Sequence, residues 1–320
     1  MKYKLLLSLL TIPFLFSCDD DEGMTFDNQY NMELFEVNEF PDQRRVNVLF
    51  QVTDGQTGVA DLTADDFIVY ENGRQVTSES KVEIDPQAIP YTMKTVLLLD
   101  ISSSVSSFID QLKSAAIALV EQKLVNQEIA IYVFDKNTRL LQDFTSNRGE
   151  LIRQIESIPE TDLESSTNLY GAIIDVTSEN NFDWIETYSI DSIQERNLLV
   201  FTDGRHTADP DIQLDSALNS IGDKNVYVAA LQSDDLDETA LTQIATRNYF
   251  RANNAADIED AFSSLLTDID NLSRSLYYLY YTSPITNPSA RMNDLDIVLR
   301  DNRTGEGFSI STTFNSEGFE

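Results

Sequence analysis

The 320-residue chain has one cysteine, one histidine and one tryptophan. With a single thiol, Cys18, no internal disulfide can form. Around that one histidine no nucleophile–base pair is visible, and no glycine-rich phosphate loop is visible either. Basic residues are scarce. Lys and Arg number 22 against 54 Asp and Glu, a formal charge of −32. A surface of that sign repels nucleic-acid phosphates, so no nucleic-acid partner is expected. It also repels anionic lipid headgroups and attracts cations. Solubility alone would account for the overall charge.

The amino end carries the first positive signal. Lys2 and Lys4 precede an apolar stretch, 5–16, interrupted by Ser8, Thr11 and Pro13. That basic-then-apolar layout is that of a secretory signal, and it is too short for a comfortable membrane span. It ends at Leu15-Phe16-Ser17-Cys18, which resembles the lipobox of bacterial lipoproteins. The resemblance implies removal of residues 1–17 and lipidation of Cys18, with acyl chains as the sole membrane contact. An ordinary signal peptide followed by a free Cys18 is the alternative. The acidic run Asp19-Asp20-Asp21-Glu22 resembles the surface-export signal of Bacteroidota lipoproteins, and serves equally as a solvated tether over 18–30. The expected location is the cell envelope, lipid-anchored at the outer membrane, with cell-surface exposure left open.

From residue 31 the hydrophobic period is two. Val46, Val48, Phe50 and Val52 alternate with mostly polar neighbours, 67–70 reads as a second strand closed by Asn72-Gly73, and Val82 with Ile84 suggests a third. At Thr95 the pattern changes. Val96-Leu97-Leu98-Leu99 is continuously apolar, as a strand buried on both faces of a parallel sheet requires. Helical stripes and further strands (129–134, an edge strand near 139–144, 198–201, 226–231) alternate up to an amphipathic helix ending near 274. Period two then returns at 276–282, 295–299 and 308–312. The predicted fold is α/β, with a doubly wound, mostly parallel sheet over 93–274. Strands from 31–92 and 275–320 are too few to stand alone, so they are expected to form one β-sandwich flanking the α/β unit, with two separate β units as the alternative.

Three segments fall where ligands sit in such sheets, outside the carboxyl ends of strands. They are Asp100-Ile101-Ser102-Ser103-Ser104, Ser165-Ser166-Thr167-Asn168-Leu169 and Phe201-Thr202-Asp203-Gly204. Each alone is weak, since serines after a strand cap helices and Asp-Gly marks turns. In this order they resemble the metal-ion-dependent adhesion site of von Willebrand factor A domains. The resemblance implies metal ligation by Asp100, Ser102, Ser104, Thr167 and Asp203, and a doubly wound fold of the same name. Five hard oxygen donors suit one divalent cation, Mg²⁺ first, with Mn²⁺ or Ca²⁺ as alternatives. Mg²⁺ keeps exchangeable waters, which leaves a position for an outside carboxylate, so a partner protein with an exposed Asp or Glu is expected. The cation's local field would permit this in spite of the charge of −32.

His206, Asp234 and Asp235 should rim the same face as partner contacts, or else be exposed loop residues. Trp184 and Tyr188 should lie at the opposite edge. The tyrosines at 277, 278, 280 and 281 read as core and cross-strand pairs. An adhesion or receptor-like binding module is the first functional reading, and no enzyme is expected. A structural or assembly component of an envelope complex is the second. A metal-dependent hydrolase is a remote third, because Asp and Glu are abundant enough to supply a general base.

Overall fold

A computed structural model describes residues 30–77, 82–84, 89–161, 163–204, 206–208, 211–233, 236–253, 255–286, 291–300 and 307–320. Cys18, the stretches 1–17 and 19–29, and the rim candidates Asp234 and Asp235 lie outside them. Among the described residues no helix is long and apolar enough to cross a membrane.

The chain opens with strands β1 (Tyr30–Phe40) and β2 (Arg45–Asp54), paired antiparallel, and a short β3 (Thr57–Gly58) on β2. Next come β4 (Phe67–Glu71) and β5 (Arg74–Gln75), joined across Asn72 and Gly73, both at positive φ (48° and 72°). Two left-handed residues match the right-handed twist of a tight hairpin. Strand β6 (Glu83–Ile84) follows.

The α/β unit then runs β7 (Tyr91–Asp100), α1 (Ile109–Gln122), β8 (Gln127–Phe134), β9 (Thr138–Thr145), α2 (Arg148–Glu156) and α3 (Leu169–Thr177). It continues through β10 (Thr187–Tyr188), β11 (Ile193–Thr202), α4 (Leu214–Ile221), β12 (Asn225–Leu231), α5 (Glu238–Ile244), β13 (Asn248–Ala252) and α6 (Ala255–Arg274). Strands β14 (Leu276–Thr282), β15 (Met292–Arg300) and β16 (Gly307–Asn315) complete the chain.

The α/β sheet has the order β13-β12-β11-β7-β8-β9, with β10 against β11. All pairs are parallel except those of β9 and β10. Alternation along β7 explains its unbroken apolar run. Leu97 and Leu99 enter one core with α1, α2 and α6, whereas Val96 and Leu98 enter the other with α3, α4 and α5. Both faces are dry, so polar residues are left to the strand ends. Each of these valines and leucines contributes roughly 1.5–3 kcal/mol when fully buried. The winding reverses between β7 and β11, which places a crevice at their carboxyl ends.

The other strands form two antiparallel sheets, β1-β2-β14-β6 with β3, and β16-β15-β4-β5. Val46, Val48 and Phe50 of β2 and Tyr277, Leu279 and Tyr281 of β14 share one core with Phe67, Val69, Leu295 and Ile297 of the second sheet. The opposite face of β2 is also buried. Leu49 packs with Ile89, Ile193 and Leu276, flanked by Phe35, Tyr91, Tyr188 and Tyr278. Tyr91 and Ile193 begin β7 and β11, so this junction lies at the amino ends of the α/β strands, away from the crevice. Trp184 is buried in the core beneath α3, its Nε1 donating to the Val176 carbonyl at 3.0 Å, while Tyr188 stacks on Phe35 at 4.3 Å.

Candidate metal centre

Asp100 ends β7 with no exposed surface. Its Oδ1 accepts both the Ser102 amide (2.9 Å) and the Ser102 hydroxyl (2.6 Å), and its Oδ2 accepts the Thr202 hydroxyl (2.7 Å). Ser102 Oγ is in turn 2.9 Å from Ser104 Oγ. Burial pushes the Asp100 carboxyl up to about 7; the Ser102 and Thr202 bonds pull it back and the nearby charge of Asp203 adds to the rise. The helix that follows, α1, begins only at Ile109. Residues Ser103–Phe108 form a 3-10 turn with Ser102 as its extended N-cap, so Ser102 is held by its own bonds to Asp100 and Ser104 sits beside Ser102 in the first turn.

The second loop is held by backbone. Ser103 N–H donates to the Glu164 carbonyl (2.8 Å) and Asn168 N–H to the Asp135 carbonyl (2.7 Å). Thr167 is fixed from both sides. Its N–H donates to Thr207 Oγ1 (3.0 Å), and its carbonyl accepts the Thr207 and Ala208 amides (2.8 and 3.1 Å). Asn168 then caps α3, its Oδ1 accepting the Gly171 amide at 3.1 Å.

Asp203, also without exposed surface, follows β11. Its carbonyl accepts Ser233 Oγ at 3.4 Å, which brings the loop after β12 to the same face. Gly204 has φ +82°, and a Cβ there would lie 3.0 Å from side-chain carbons of Leu236 and Leu241. The turn requires glycine, and a Cβ would in addition crowd the two leucine methyls.

Above these groups opens a polar cleft of about 260 Å³, lined by Ser103, Ser104, Ser165, Ser166, Thr167 and Thr207. The donors suit a hard divalent cation. Two buried carboxylates lie within electrostatic reach of each other, and a hydroxyl that gives its proton to Asp100 keeps its lone pairs for a metal. Among the described residues no group of three or more His, Cys, Asp or Glu could hold a metal, and the set here combines two carboxylates with hydroxyls.

His206 is not an exposed loop residue. It is half-buried, its ring stacks on Tyr170 at 4.2 Å, and its Nδ1 accepts the Tyr170 amide at 3.4 Å. A bridge between Asn168 and His206 ties the second loop to the third. Two contributors were not singled out from sequence. Thr202 orients Asp100 and accepts the Gly204 amide at 3.0 Å. Asp135, at the end of β8, is gripped by Arg139 through two bonds of 3.0 and 2.8 Å. Burial alone would raise Asp135, yet Arg139 and the Asn137 amide hold it below the usual carboxylate range.

Residues 95–206 match the family model of the von Willebrand factor type A domain, a stretch that spans all five proposed ligands. The α/β unit carries a von Willebrand factor type A domain. Solved structures similar to the chain include a von Willebrand factor type A protein from Catenulispora acidiphila (9% identity, TM-score 0.49, 90% of this chain and 74% of that one). Another is the von Willebrand factor domain of the type V pili tip protein Mfa5 from Porphyromonas gingivalis (12% identity, TM-score 0.44, 56% and 95%). A third is proximal thread matrix protein 1 of the mussel byssus with a zinc-occupied MIDAS motif (15% identity, TM-score 0.45, 57% and 49%). The chain spans about half the length of that mussel protein. No curated protein matches it. Within the A domain, the crevice at β7 and β11 is where the sheet's winding places a ligand.

Proposed function

We propose that this protein is a cell-envelope binding protein whose A domain captures a partner's carboxylate through one divalent cation. Asp100, Ser102, Ser104, Thr167 and Asp203 would hold the cation, Mg²⁺ before Mn²⁺ or Ca²⁺, and the cation would supply the positive charge that an Asp or Glu of the partner completes. The observation that carries this reading is the hydrogen-bonded chain Asp100–Ser102–Ser104, which leads from a buried carboxylate to a hydroxyl-lined cleft that Ser104 and Thr167 share. The protein residues orient the donors and keep Asp100 buried. Among the described residues the cleft is lined by serines and threonines without a His, Asp or Glu base, which favours binding over turnover. A lipid anchor at Cys18 and an outer-membrane position, on either face, belong to the same proposal. So does the arrangement in which a β-sandwich built from both ends of the chain carries the A domain.

Thermal unfolding tests it. At about one hundred times its dissociation constant a native-state cation adds about 2.7 kcal/mol. That should raise the midpoint by roughly 5–10 °C for a domain of this size. Asp203→Ala and Ser102→Ala should each abolish the rise and leave the chelated protein folded. No rise with Mg²⁺, Mn²⁺ or Ca²⁺ would remove the metal-dependent reading in favour of a structural envelope component.

A further inference from the structure

A second concave site lies at the other end of the A domain. A cleft of about 480 Å³ opens between β1 and the segment that leads through β10 into β11. Phe35, Trp184 and Tyr188 wall it, and Ile185, 72% exposed, stands at its mouth.

Charge is the informative property. Glu33, Glu179, Glu186 and Asp223 line the cleft against Arg196 and Lys224. Both cations are already engaged. Lys224 Nζ donates to the Ser220 and Ile221 carbonyls at the end of α4 (3.0 and 3.4 Å). Arg196 donates to the Asp183 and Glu195 carbonyls and to Gln194 Oε1. Glu186 is likewise engaged, by the Arg196 amide and Asn225 Nδ2 (both 2.8 Å). Glu33, Glu179 and Asp223 are exposed and, among the described residues, form no ion pair. The acceptors of Lys224 and Arg196 are neutral, so both cations keep their charge, and four carboxylates against two cations leave the cleft net negative beside an aromatic wall.

The molecule shows what such a wall accepts. Behind the cleft, Arg196 lies over the Phe182 ring at 5.7 Å, and Lys94 lies over Phe144 and Phe182 at 5.1 and 5.9 Å. Phe182 packs edge-on against Trp184 at 4.8 Å. Cations on apolar stems already use this aromatic cluster from the inside.

From charge complementarity we infer that the cleft receives a lysine or arginine side chain presented by a partner polypeptide, its stem on Trp184 and Phe35 and its head among Glu33, Glu179 and Asp223. The chain's own segment before β1 does not supply it, because residues 19–29 contain no Lys or Arg. The contact is independent of the metal cleft. A partner bearing both an acidic and a basic group would engage opposite ends of one domain. The net charge of −32 would also speed encounter with basic partners.

Trp184 is the sole tryptophan, so its emission reports on this cleft directly. The full chain, in chelator to silence the metal cleft, is titrated with acetyl-Gly-Arg-Gly-amide and with the neutral citrulline analogue. The arginine peptide should give a saturable change at millimolar concentration or below, and the citrulline peptide none. The combined variant Glu33→Gln, Glu179→Gln, Asp223→Asn alters exposed side chains only. It should unfold at the wild-type temperature and bind roughly fivefold to tenfold more weakly. A flat titration, equal response to citrulline, or an unchanged affinity in the variant would each overturn the inference. So would sedimentation showing a dimer that the peptide dissociates, since the occupant would then be a second copy of this chain.

Discussion

Asp100 has its two oxygens committed to different neighbours, Oδ1 to Ser102 and Oδ2 to Thr202. Thr202 therefore decides which way the carboxylate faces without lining the cleft. Outer partners of this kind typically change metal affinity tenfold to a hundredfold. Thr202→Val should weaken cation binding by about tenfold or more, measured by calorimetric titration, and Thr202→Ser should restore most of it. Equal affinities in all three proteins would show that the bond does not position Asp100. Gly204 presents a separate constraint. Its φ of +82° and the Leu236 and Leu241 carbons 3.0 Å from a built Cβ make Gly204→Ala doubly unfavourable. A loss of about 1–3 kcal/mol in urea unfolding is expected, and a loss within error would mean the turn relaxes freely. The five proposed ligands could be nominated from sequence because three short motifs stand at strand ends in a fixed order. Thr202 and Asp135 were missed for a different reason. Their work is done toward the interior, on Asp100 and on the Asn168 amide, and spacing along the chain carries no trace of such bonds.

At the scale of elements, the amino end of β11 holds a second buried acid. Glu195 has no exposed surface; one oxygen accepts the Tyr91 hydroxyl at 2.5 Å and Oε1 has no hydrogen-bond partner. Burial pushes it from 4.5 up to about 7, eased by the Tyr91 bond and by Arg247 and reinforced by the charge of Glu186. The folded state therefore holds this proton more tightly than the unfolded chain. Its stabilising contribution is complete below about 4.5, declines as pH rises through about 7, and is flat beyond. The decline amounts to at most about 3 kcal/mol. Asp100 titrates over a similar range, so the comparison must be with Glu195→Gln. Urea unfolding of both proteins across that range should show the wild type losing stability relative to the variant. A constant difference would remove Glu195 as the cause. Elements were legible where burial is simple. The run 96–99 declares a strand covered on both faces, and α6 declares its stripe through Phe262, Leu265 and Ile269. Strand β1 was not recognised, since a register shift between Leu34 and Glu36 breaks its alternation and most of it is only half-buried. Strand β13, Asn-Tyr-Phe-Arg-Ala at the sheet edge, has too little apolar content to stand out.

Across the whole molecule, the A domain leaves and rejoins the antiparallel sheets at one place. Ile89 and Tyr91 on the way in and Leu276 on the way out meet in the same apolar cluster with Leu49. The carboxyl end of α6 is locked there. Gln51 Nε2 donates to Ser275 Oγ at 3.0 Å, and Val52 N–H donates to the Ser275 carbonyl at 3.1 Å. Gly58 on β3 lies so near α6 that a Cβ would stand 2.5 Å from the Asn271 carbonyl oxygen and 2.6 Å from the Leu272 Cα. Those are backbone atoms and cannot rotate aside. Gly58→Ala must therefore displace either β3 or the last turn of α6, and α6 carries Phe262, Leu265 and Ile269 into the A-domain core. Overpacking at such a contact costs about 1–3 kcal/mol. Because the contact joins two separate cores, the cost falls on their coupling as well as on the total. The wild type should unfold in one calorimetric transition, and Gly58→Ala should broaden it or split it into two, the cation raising only the A-domain component. If the substitution leaves one transition at the wild-type midpoint, β3 yields without strain, and the coupling rests on the cluster of Leu49, Ile193 and Leu276 and on the Ser275 bonds instead.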